Sequence, residues 1–207
     1  MKKLVCIGSG GHLRPVLDAA SLSKFNVIGV IDINFVKNEK ILGINVFQKI
    51  ESIKKFDIKN TSLFISIGDN KIRADKYNYF KKYKYNFINI IHPTAIISNN
   101  VSLGENIFIN SGSIINSNVK IGNSSIINTG CIIDHETVIG KNTHIAPGSI
   151  VAGRCNIGDL VFIGMGSRII QNIKIGNNAT LGAGTVLIND AIKNKTYLGI
   201  PAKIKKS

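Results

Sequence analysis

The sequence predicts a small N-terminal α/β domain with a parallel, Rossmann-like sheet, followed by a left-handed parallel β-helix. The first observation behind this is that every sixth residue from Ile97 to Leu187 is a branched aliphatic, and the register never slips. The second is a glycine turn between an apolar strand pattern and a helix pattern near the start of the chain. A strict period of six suits short strands separated by turns and is typical of a solenoid. A β-sandwich or barrel is disfavoured because irregular loop lengths would break that period.

The six-residue repeat also predicts how the solenoid is wound. Three hexads make one triangular coil, so residues 18 apart should stack, and the run holds about five coils. The residue four after each aliphatic is often small or β-branched, as at Ser113, Thr137 and Ser149, and is expected to face inward. The residue directly after it is often Gly or Asn, which tolerate the left-handed backbone expected at tight corners. The aliphatic positions are Ile97, Leu103, Ile109, Ile115, Ile121, Ile127, Ile133, Ile139, Ile145, Val151, Ile157, Ile163, Ile169, Ile175, Leu181 and Leu187.

The first 32 residues predict a βαβ unit. Residues 3–7 predict a buried strand, an apolar-periodic segment after His12 predicts a helix to about residue 22, and residues 27–31 predict a second strand. The glycines at Gly8, Gly10 and Gly11 would let backbone N–H groups approach a phosphate at the helix N-terminus. Asp32 has a spacing suited to a ribose or base contact, although on spacing alone a solvated strand-end carboxylate fits equally well.

The remainder of the α/β region predicts a second half of the same sheet. Residues 62–67 and 87–91 predict strands, and residues 71–83 predict a basic amphipathic helix. Ligands in open α/β sheets gather at the carboxyl ends of strands, so Asp32 and Gly68–Asn70 are expected to face one crevice. We therefore predict an α/β domain at 1–90, a β-helix at 91–190, and a tail at 191–207 in which Gly199 and Pro201 turn the chain against the β-helix.

Composition limits the function classes. Lys and Arg outnumber Asp and Glu by 26 to 12, which gives a net charge of +14. The scattered lysines, with no Arg-rich helix or zinc spacing, predict a solvated basic surface rather than a nucleic-acid binder, and the sign suits anionic small ligands. Cys6, Cys131 and Cys155 are expected to be buried thiols in a reducing compartment. No membrane span or signal peptide is predicted, so we expect a cytoplasmic protein.

Titratable residues gather at one place in the solenoid, Asp134–Glu136, with His144 close in sequence. His135 and Glu136 fall at a turn, where an imidazole beside a carboxylate suits a general base. Gly153 follows His135 by 18 residues and is expected to present an accessible backbone N–H one coil along, as an acyl-transfer oxyanion requires. A metal site is not predicted because no His/Cys cluster has ligand spacing, and no Gly-x-Ser-x-Gly elbow marks a serine nucleophile.

Several segments together carry a resemblance to a known family. They are Ile7-Gly-Ser-Gly-Gly-His12, Val30-Ile-Asp32, Ile67-Gly-Asp-Asn-Lys-Ile-Arg73, Ile91-His-Pro-Thr-Ala95, the hexads, Asp134-His-Glu136, His144 and Gly199-Ile-Pro-Ala-Lys203. With these, the chain resembles the bacterial hexapeptide-repeat sugar acetyltransferases that have an N-terminal nucleotide-sugar domain. That family includes the N-acetyltransferases of UDP-4-amino-4,6-dideoxy sugars and the sialic acid O-acetyltransferases.

The resemblance implies roles for individual residues. It implies that His135 is the base, that Glu136 supports it, and that the enzyme is a homotrimer with active sites between subunits. The residues implied to contact acetyl-CoA, the co-substrate, are His144, Gly153, Gly182 and Lys203. The residues implied to bind the nucleotide-linked amino sugar are Gly10, Gly11, His12, Asp32, Gly68, Asn70 and Arg73. Ile33 stands where the family often has a second acidic residue.

Three hypotheses follow. The first is an acetyl-CoA-dependent N-acetyltransferase that acetylates the amino group of a UDP- or dTDP-linked 4-amino-4,6-dideoxy sugar by direct attack, with His135 as general base. The second keeps the donor and changes the acceptor to a hydroxyl of a sialic-type sugar. The third is a non-catalytic scaffold that binds nucleotide sugars.

Overall fold

The structure of the chain is a computed structural model that describes residues 1–34 and 41–205. Residues 35–40 of the predicted α/β domain and residues 206–207 of the predicted tail lie outside this description. The chain divides into two compact units, Met1–Pro93 and Thr94–Ser207. Within the described ranges, no helix has the length and apolar character needed to cross a membrane.

A parallel five-stranded sheet forms the centre of the N-terminal unit, with strand order β3-β2-β1-β4-β5. The central strand β1 is buried because its residues Leu4 to Cys6 are apolar and covered on both faces, as the hydrophobic run predicts. The strand predicted at 62–67 is β4, which ends at residue 65. The strand predicted at 87–91 is two short strands, residues 86–87 (β5) and 90–91 (β6), because β5 pairs with β4 through only two residues. The short strand β3 was not predicted. The strand bounds are β1 Lys2–Ile7, β2 Phe25–Ile31, β3 Val46–Phe47, β4 Thr61–Ile65, β5 Asn86–Phe87 and β6 Ile90–Ile91.

Two α-helices and a 3-10 helix connect these strands. Helix α1 (Leu13–Leu22) buries one apolar stripe, and helix α2 (Asn70–Lys81) begins one residue before its predicted start. The Asp69 side chain caps α2 by accepting hydrogen bonds from the backbone N–H groups of Lys71 and Ile72. A 3-10 helix at Ile50–Lys55, which was not predicted, lies between β3 and β4.

Short strands wind through the C-terminal unit in three parallel sheets, which confirms the predicted β-helix. The first sheet is β7 Ile96–Ile97, β10 Ile114–Ile115, β13 Ile132–Ile133, β16 Ile150–Val151, β19 Arg168–Ile169 and β22 Val186–Leu187. The second sheet is β8 Ser102–Leu103, β11 Lys120–Ile121, β14 Val138–Ile139, β17 Asn156–Ile157 and β20 Lys174–Ile175. In this unit the third sheet contains β9 Phe108–Ile109, β12 Ile126–Ile127, β15 His144–Ile145, β18 Phe162–Ile163, β21 Thr180–Leu181, β23 Thr196–Leu198 and β24 Lys203–Ile204.

The register of the coils follows the 18-residue rule. Ile133 pairs with Val151, and Ile139 pairs with Ile157 in the next sheet. The small residues four after each aliphatic face inward and are buried, as predicted. Most of their hydroxyls donate to carbonyls of the next coil, as where Ser149 Oγ donates to the Gly164 carbonyl at 2.9 Å, whereas Thr185 Oγ1 has no hydrogen-bond partner among the described residues. The interior is therefore an aliphatic column lined by small, hydrogen-bonded groups.

The corners correct one expectation of the sequence. At the corners from Asn106 to Gly184, the left-handed residue is the one three after the aliphatic, such as Asn142 (φ 55°) or Gly148 (φ 69°), and not the one directly after it. The glycines directly after the aliphatics serve a different purpose. A Cβ on Gly122 would lie 2.8 Å from the carbonyl carbon of Gly140 in the next coil. These glycines are therefore needed for the close approach of neighbouring coils rather than for a left-handed turn.

The tail continues the third sheet. Strand β23 pairs in parallel with β21, and β24 returns antiparallel to β23. The Gly199 φ of 92° and the turn at residues 199–202 reverse the chain between them. Tyr197 in β23 is buried, and its hydroxyl accepts a hydrogen bond from the Ile192 N–H at 2.8 Å.

Candidate active site

The turn that follows β13 carries the titratable cluster of the solenoid. It lies at the corner between the first and second sheets. Glu136 occupies the left-handed position with φ 58°, and its N–H donates to the Ser117 carbonyl of the preceding coil at 2.9 Å. The His135 carbonyl accepts the N–H of Arg154 from the following coil at 2.9 Å. Backbone bonds to the coils on both sides therefore hold the turn rigidly.

The side chains of this turn form a connected set. The His135 Nδ1 lies 3.1 Å from Glu136 Oε2, and the same oxygen accepts a 2.8 Å hydrogen bond from Arg154 Nε. Hydrogen bonds from Arg154 and His135, with the positive charge of Arg154, lower the pKa of Glu136. An ionised Glu136 can only accept a hydrogen bond, so the His135 Nδ1 donates the one that they share, and in a neutral imidazole Nε2 then carries the lone pair. The imidazole is about half exposed, at 47%.

Asp134 and Asn116 support the turn from the other side. Asp134 Oδ1 accepts the backbone N–H of His135 at 2.8 Å and the Nδ2 of Asn116 at 2.9 Å. These two hydrogen bonds lower the pKa of Asp134. The carboxylate is thus an ionised anchor that fixes the backbone from which the imidazole projects.

Gly153 lies directly beneath the ring of His135. A Cβ at this position would lie 2.6 Å from Nε2 and 2.7 Å from Cε1 of the ring. Gly153 is buried beneath the imidazole, and the expected oxyanion role of its backbone N–H stays a prediction. Within the described residues, that N–H has no hydrogen-bond acceptor. At this corner the imidazole of His135 therefore packs against Gly153, whose backbone N–H makes no hydrogen bond within the described residues.

The residues predicted to contact acetyl-CoA lie on the third sheet, apart from Gly153. His144 is in β15, with Nε2 3.2 Å from Asn128 Nδ2 and its ring edge-on to Phe162 at 5.3 Å. Lys203 is exposed in β24. Gly182 follows β21, and its N–H already donates to the Tyr197 carbonyl at 2.9 Å. The Gly182 N–H is therefore already used within the third sheet, and its expected contact with acetyl-CoA stays a prediction.

A separate cleft of about 490 Å³ opens at the carboxyl ends of the strands in the N-terminal unit. Of the predicted nucleotide-binding residues, it brings together Gly10, Gly11, His12, Asp32 and Gly68. A Cβ on Gly10 or Gly11 would meet nothing within 4 Å, so both backbones are open to the cleft at the start of α1. Ile33, which stands where the family often has a second acidic residue, also lines the cleft. Lining residues that the sequence did not single out include Asn34, Ile50, Ile72, Lys76 and Phe80.

Asp32 joins the ends of two neighbouring strands. Its Oδ2 accepts both the N–H (2.7 Å) and the hydroxyl (2.6 Å) of Ser9, and its Oδ1 accepts the N–H of Asn34. Partial burial would raise the pKa of Asp32, but these hydrogen bonds and the charge of Lys76 lower it overall. The carboxylate is ionised at neutral pH and holds the glycine turn in place.

Asn70 and Arg73 differ from their expected positions. Neither lines the cleft, and Arg73 is buried with 1% exposure. Its guanidinium donates to the Ile67 and Gly68 carbonyls at 3.1 and 2.8 Å and to Asn70 Oδ1 at 2.6 Å. Asn70 and Arg73 therefore shape the loop at the cleft instead of reaching a ligand, because the loop carbonyls use the guanidinium.

Metal-binding and thiol chemistry find no support in the part of the chain that the structure describes. That part contains no cluster of three or more His, Cys, Asp or Glu side chains able to hold a metal ion. The three cysteines are buried and unpaired. Burial raises the pKa of Cys6 to about 12 and that of Cys131 to about 11, so both remain protonated thiols at neutral pH.

Comparison with known proteins agrees with both units. The family described as PglD N-terminal domain matches residues 3–80, and the family described as bacterial transferase hexapeptide (six repeats) matches residues 154–189. The solved structure of a mutant perosamine N-acetyltransferase from Caulobacter crescentus, in complex with CoA and GDP-perosamine, is 32% identical with a TM-score of 0.95. The match covers 99% of this chain and 97% of that chain. The chain belongs to the hexapeptide-repeat sugar acetyltransferases.

Other solved structures show the same fold. The acetyltransferase domain of PglB from Neisseria gonorrhoeae, in complex with acetyl coenzyme A, is 25% identical with a TM-score of 0.93, and 99% of each chain is covered. WeeI from Acinetobacter baumannii, 23% identical with a TM-score of 0.90 over 98% of this chain and 99% of that chain, shares the fold. No curated protein matches the chain.

Two residues that contact the candidate active-site turn were not predicted from the sequence. Asn116 and Arg154 contact the two carboxylates of the candidate active-site turn. The signal was present, because Asn116 precedes Asp134 by 18 residues and Arg154 follows Glu136 by 18. The 18-residue spacing in the sequence therefore already points to both residues.

Proposed function

We propose that this chain transfers the acetyl group of acetyl-CoA to the amino group of a nucleotide-linked amino sugar. The observation that carries the proposal is the contact of His135 with Glu136, with the imidazole packed against Gly153. The chain that holds this pair matches the perosamine N-acetyltransferase structure over 99% of its length. That relative holds CoA and GDP-perosamine. A general base such as His135 can take the proton of a sugar amine as that amine attacks the carbonyl carbon of a thioester.

His135 acts as the general base of the transfer. The amine nitrogen attacks the thioester carbonyl carbon, and Nε2 of His135 accepts the proton that the nitrogen loses. The C–S bond then breaks, and the proton passes from the imidazole to the sulfur of CoA, which leaves as a thiol. The ionised Glu136 stabilises the transient imidazolium through its contact with Nδ1. No covalent enzyme intermediate forms.

Gly153 serves the reaction in two ways. Its missing side chain leaves the space in which the imidazole lies. Its N–H, which lacks an acceptor within the described residues, is suited to the oxygen that becomes negative when the tetrahedral intermediate forms. Both functions depend on the corner holding its geometry, which the bonds to neighbouring coils provide.

The third sheet is the surface we assign to acetyl-CoA. His144 and the adjacent Phe162 offer a partly exposed polar and aromatic surface, and Lys203 adds a cation suited to the CoA phosphates. Gly182 contributes to this surface indirectly. A Cβ there would strike the Leu198 side chain, so the absence of a side chain lets the tail strand pack on the third sheet.

The cleft of the N-terminal unit binds the nucleotide. The open backbones of Gly10 and Gly11 at the start of α1 suit a phosphate. Asp32 and Asn34 are placed to recognise ribose or base. The sequence resemblance favours UDP or dTDP, whereas GDP is the nucleotide in the perosamine relative, so all three belong in the test.

A homotrimer fits the surface of the solenoid. The outward positions of the first sheet are aliphatic from Ile96 to Ile150, with Ile96 64% exposed and Ile114, Ile132 and Ile150 half-buried, and the exposed Arg168 ends this run. The outward positions of the second sheet are mostly polar, as at Lys120. A continuous apolar face of this kind is suited to burial against another copy of the chain.

The test is an acceptor panel. The protein is incubated with acetyl-CoA and UDP-, dTDP-, GDP- and CMP-linked amino and hydroxy sugars, and the release of free thiol is followed. We expect thiol release with a nucleotide-linked amino sugar and formation of its N-acetyl product by mass spectrometry. Release only with a sialic-type sugar would indicate O-acetylation. No release with any sugar would favour a non-catalytic scaffold.

A further inference from the structure

A cation at the cleft of the N-terminal unit would suit an anionic ligand, and the resemblance implies Arg73 for that contact. Arg73 was expected to meet the ligand, but its guanidinium is buried and donates to the Ile67 and Gly68 carbonyls and to Asn70 Oδ1. Burial lowers the pKa of Arg73 to about 9, which still leaves it charged at neutral pH. That charge serves the loop and does not reach the cleft.

Lys76 lies three residues further along α2, on the same side of the helix as Arg73. It lines the cleft and, among the described lining residues, is the sole Lys or Arg. No carboxylate of the described residues lies within ion-pair distance of its ammonium group, although its charge helps to lower the pKa of Asp32 across the cleft. The ammonium is therefore available to a ligand.

The charge balance of the cleft shows why this matters. Asp32 is ionised, because its hydrogen bonds and the charge of Lys76 lower its pKa. Without Lys76 the cleft would present a net negative charge to an incoming diphosphate. The open amides of Gly10 and Gly11 supply hydrogen bonds but only the partial charge of a helix terminus. A full positive charge on the same cleft offsets Asp32 and attracts the anion.

We propose that Lys76 binds the diphosphate group of the nucleotide sugar, while Arg73 holds the loop that shapes the cleft. This inference rests on the proposed nucleotide-sugar function. It assigns a charged ligand contact to a residue that no sequence motif marks, and it separates two cations that are one helical turn apart.

The experiment compares nucleotides with their nucleosides. Isothermal titration of the full chain with UDP, dTDP and GDP, and with uridine, thymidine and guanosine, gives the dissociation constant of each. Lys76→Met removes the charge and keeps the length of the side chain, and Lys76→Arg keeps the charge. Lys71→Met is the matched control, because Lys71 is an exposed lysine of the same helix that does not line the cleft.

We expect Lys76→Met to weaken binding of the diphosphate by about tenfold to a hundredfold, the range of one charge-assisted hydrogen bond. Nucleoside binding should be unchanged, Lys76→Arg should retain most of the affinity, and Lys71→Met should match the wild type. Equal losses for nucleotide and nucleoside, or a Lys76→Met affinity equal to that of Lys71→Met, would overturn the assignment. A wild type that binds none of the diphosphates would instead overturn the nucleotide-binding function, and this inference with it.

Discussion

The Gly153→Ala substitution gives the sharpest steric test of the candidate active site. The added methyl would lie 2.6 Å from Nε2 of His135 and 2.7 Å from Cε1. Ordinary van der Waals contact begins at about 3.4 Å. Gly153 does not have a positive φ, so alanine fits its backbone without strain. The perturbation is therefore confined to the space that the imidazole occupies.

The structure sets the size of the effect. To accommodate the methyl, Nε2 must withdraw from 2.6 Å to at least 3.4 Å, a shift of about 0.8 Å. The ring can make this shift because it is 47% exposed and can swing toward solvent. A misplacement of about 1 Å costs on the order of a hundredfold in rate. Alanine keeps its N–H, so the loss would come from the base and not from the backbone donor.

The assay is the initial rate of CoA release at saturating acetyl-CoA with the acceptor found by the panel. Gln171→Ala is the matched control, because Gln171 occupies the equivalent corner position one coil further along and is exposed. We expect Gly153→Ala to lose about a hundredfold in kcat, with the thermal unfolding midpoint and Gln171→Ala both close to wild type. Turnover of Gly153→Ala within a few-fold of the wild type would show that catalysis does not require the imidazole to pack against this glycine.

Two further predictions use the charged contacts. In Arg154→Gln, Glu136 loses the hydrogen bond and the positive charge that lower its pKa and hold its carboxylate beside His135 Nδ1, so kcat should fall by roughly fivefold to tenfold; Arg168→Gln, which removes an exposed Arg one coil away, should leave kcat unchanged. Equal kcat values for Arg154→Gln and Arg168→Gln would show that the Arg154 contact does not position Glu136 for catalysis. Because the pKa of Asp32 is lowered in the fold, its contribution to stability is present above about pH 4 and is lost as the pH falls through the folded-state pKa. Asp32→Asn should therefore lower the free energy of unfolding by about 1 kcal/mol at pH 7, and urea unfolding should show this difference shrinking below pH 4; a difference that is constant with pH would contradict it.

The hexads made the solenoid predictable because one physical requirement, an aliphatic at every sixth position, fixes strand, coil and register together. The corners were less predictable, since Gly and Asn meet several needs. The sequence assigned left-handed backbone to residues such as Gly122, but crowding by the next coil requires that glycine, and Asn142 and its equivalents take the turn. Residue type alone does not separate a glycine needed for φ from one needed for space.

In the candidate sites, too, some residues were predictable from sequence spacing and others were not. His135 and Glu136 were identifiable as a pair because they are adjacent in sequence, and Gly153 because it stacks on them. A ligand contact for Arg73 was implied only by the resemblance, through the segment Ile67–Arg73. Its burial and its bonds to loop carbonyls depend on the path of that loop, which sequence spacing does not give.

The turnover of His135→Asn on the amino sugar found by the panel tests the central claim most directly. Asparagine retains a polar side chain at the corner but cannot take the proton from the amine. The account predicts a loss in kcat of about a hundredfold to ten-thousandfold with the fold intact. Turnover within a few-fold of wild type would contradict it, because the proton would then leave by a route that does not involve His135.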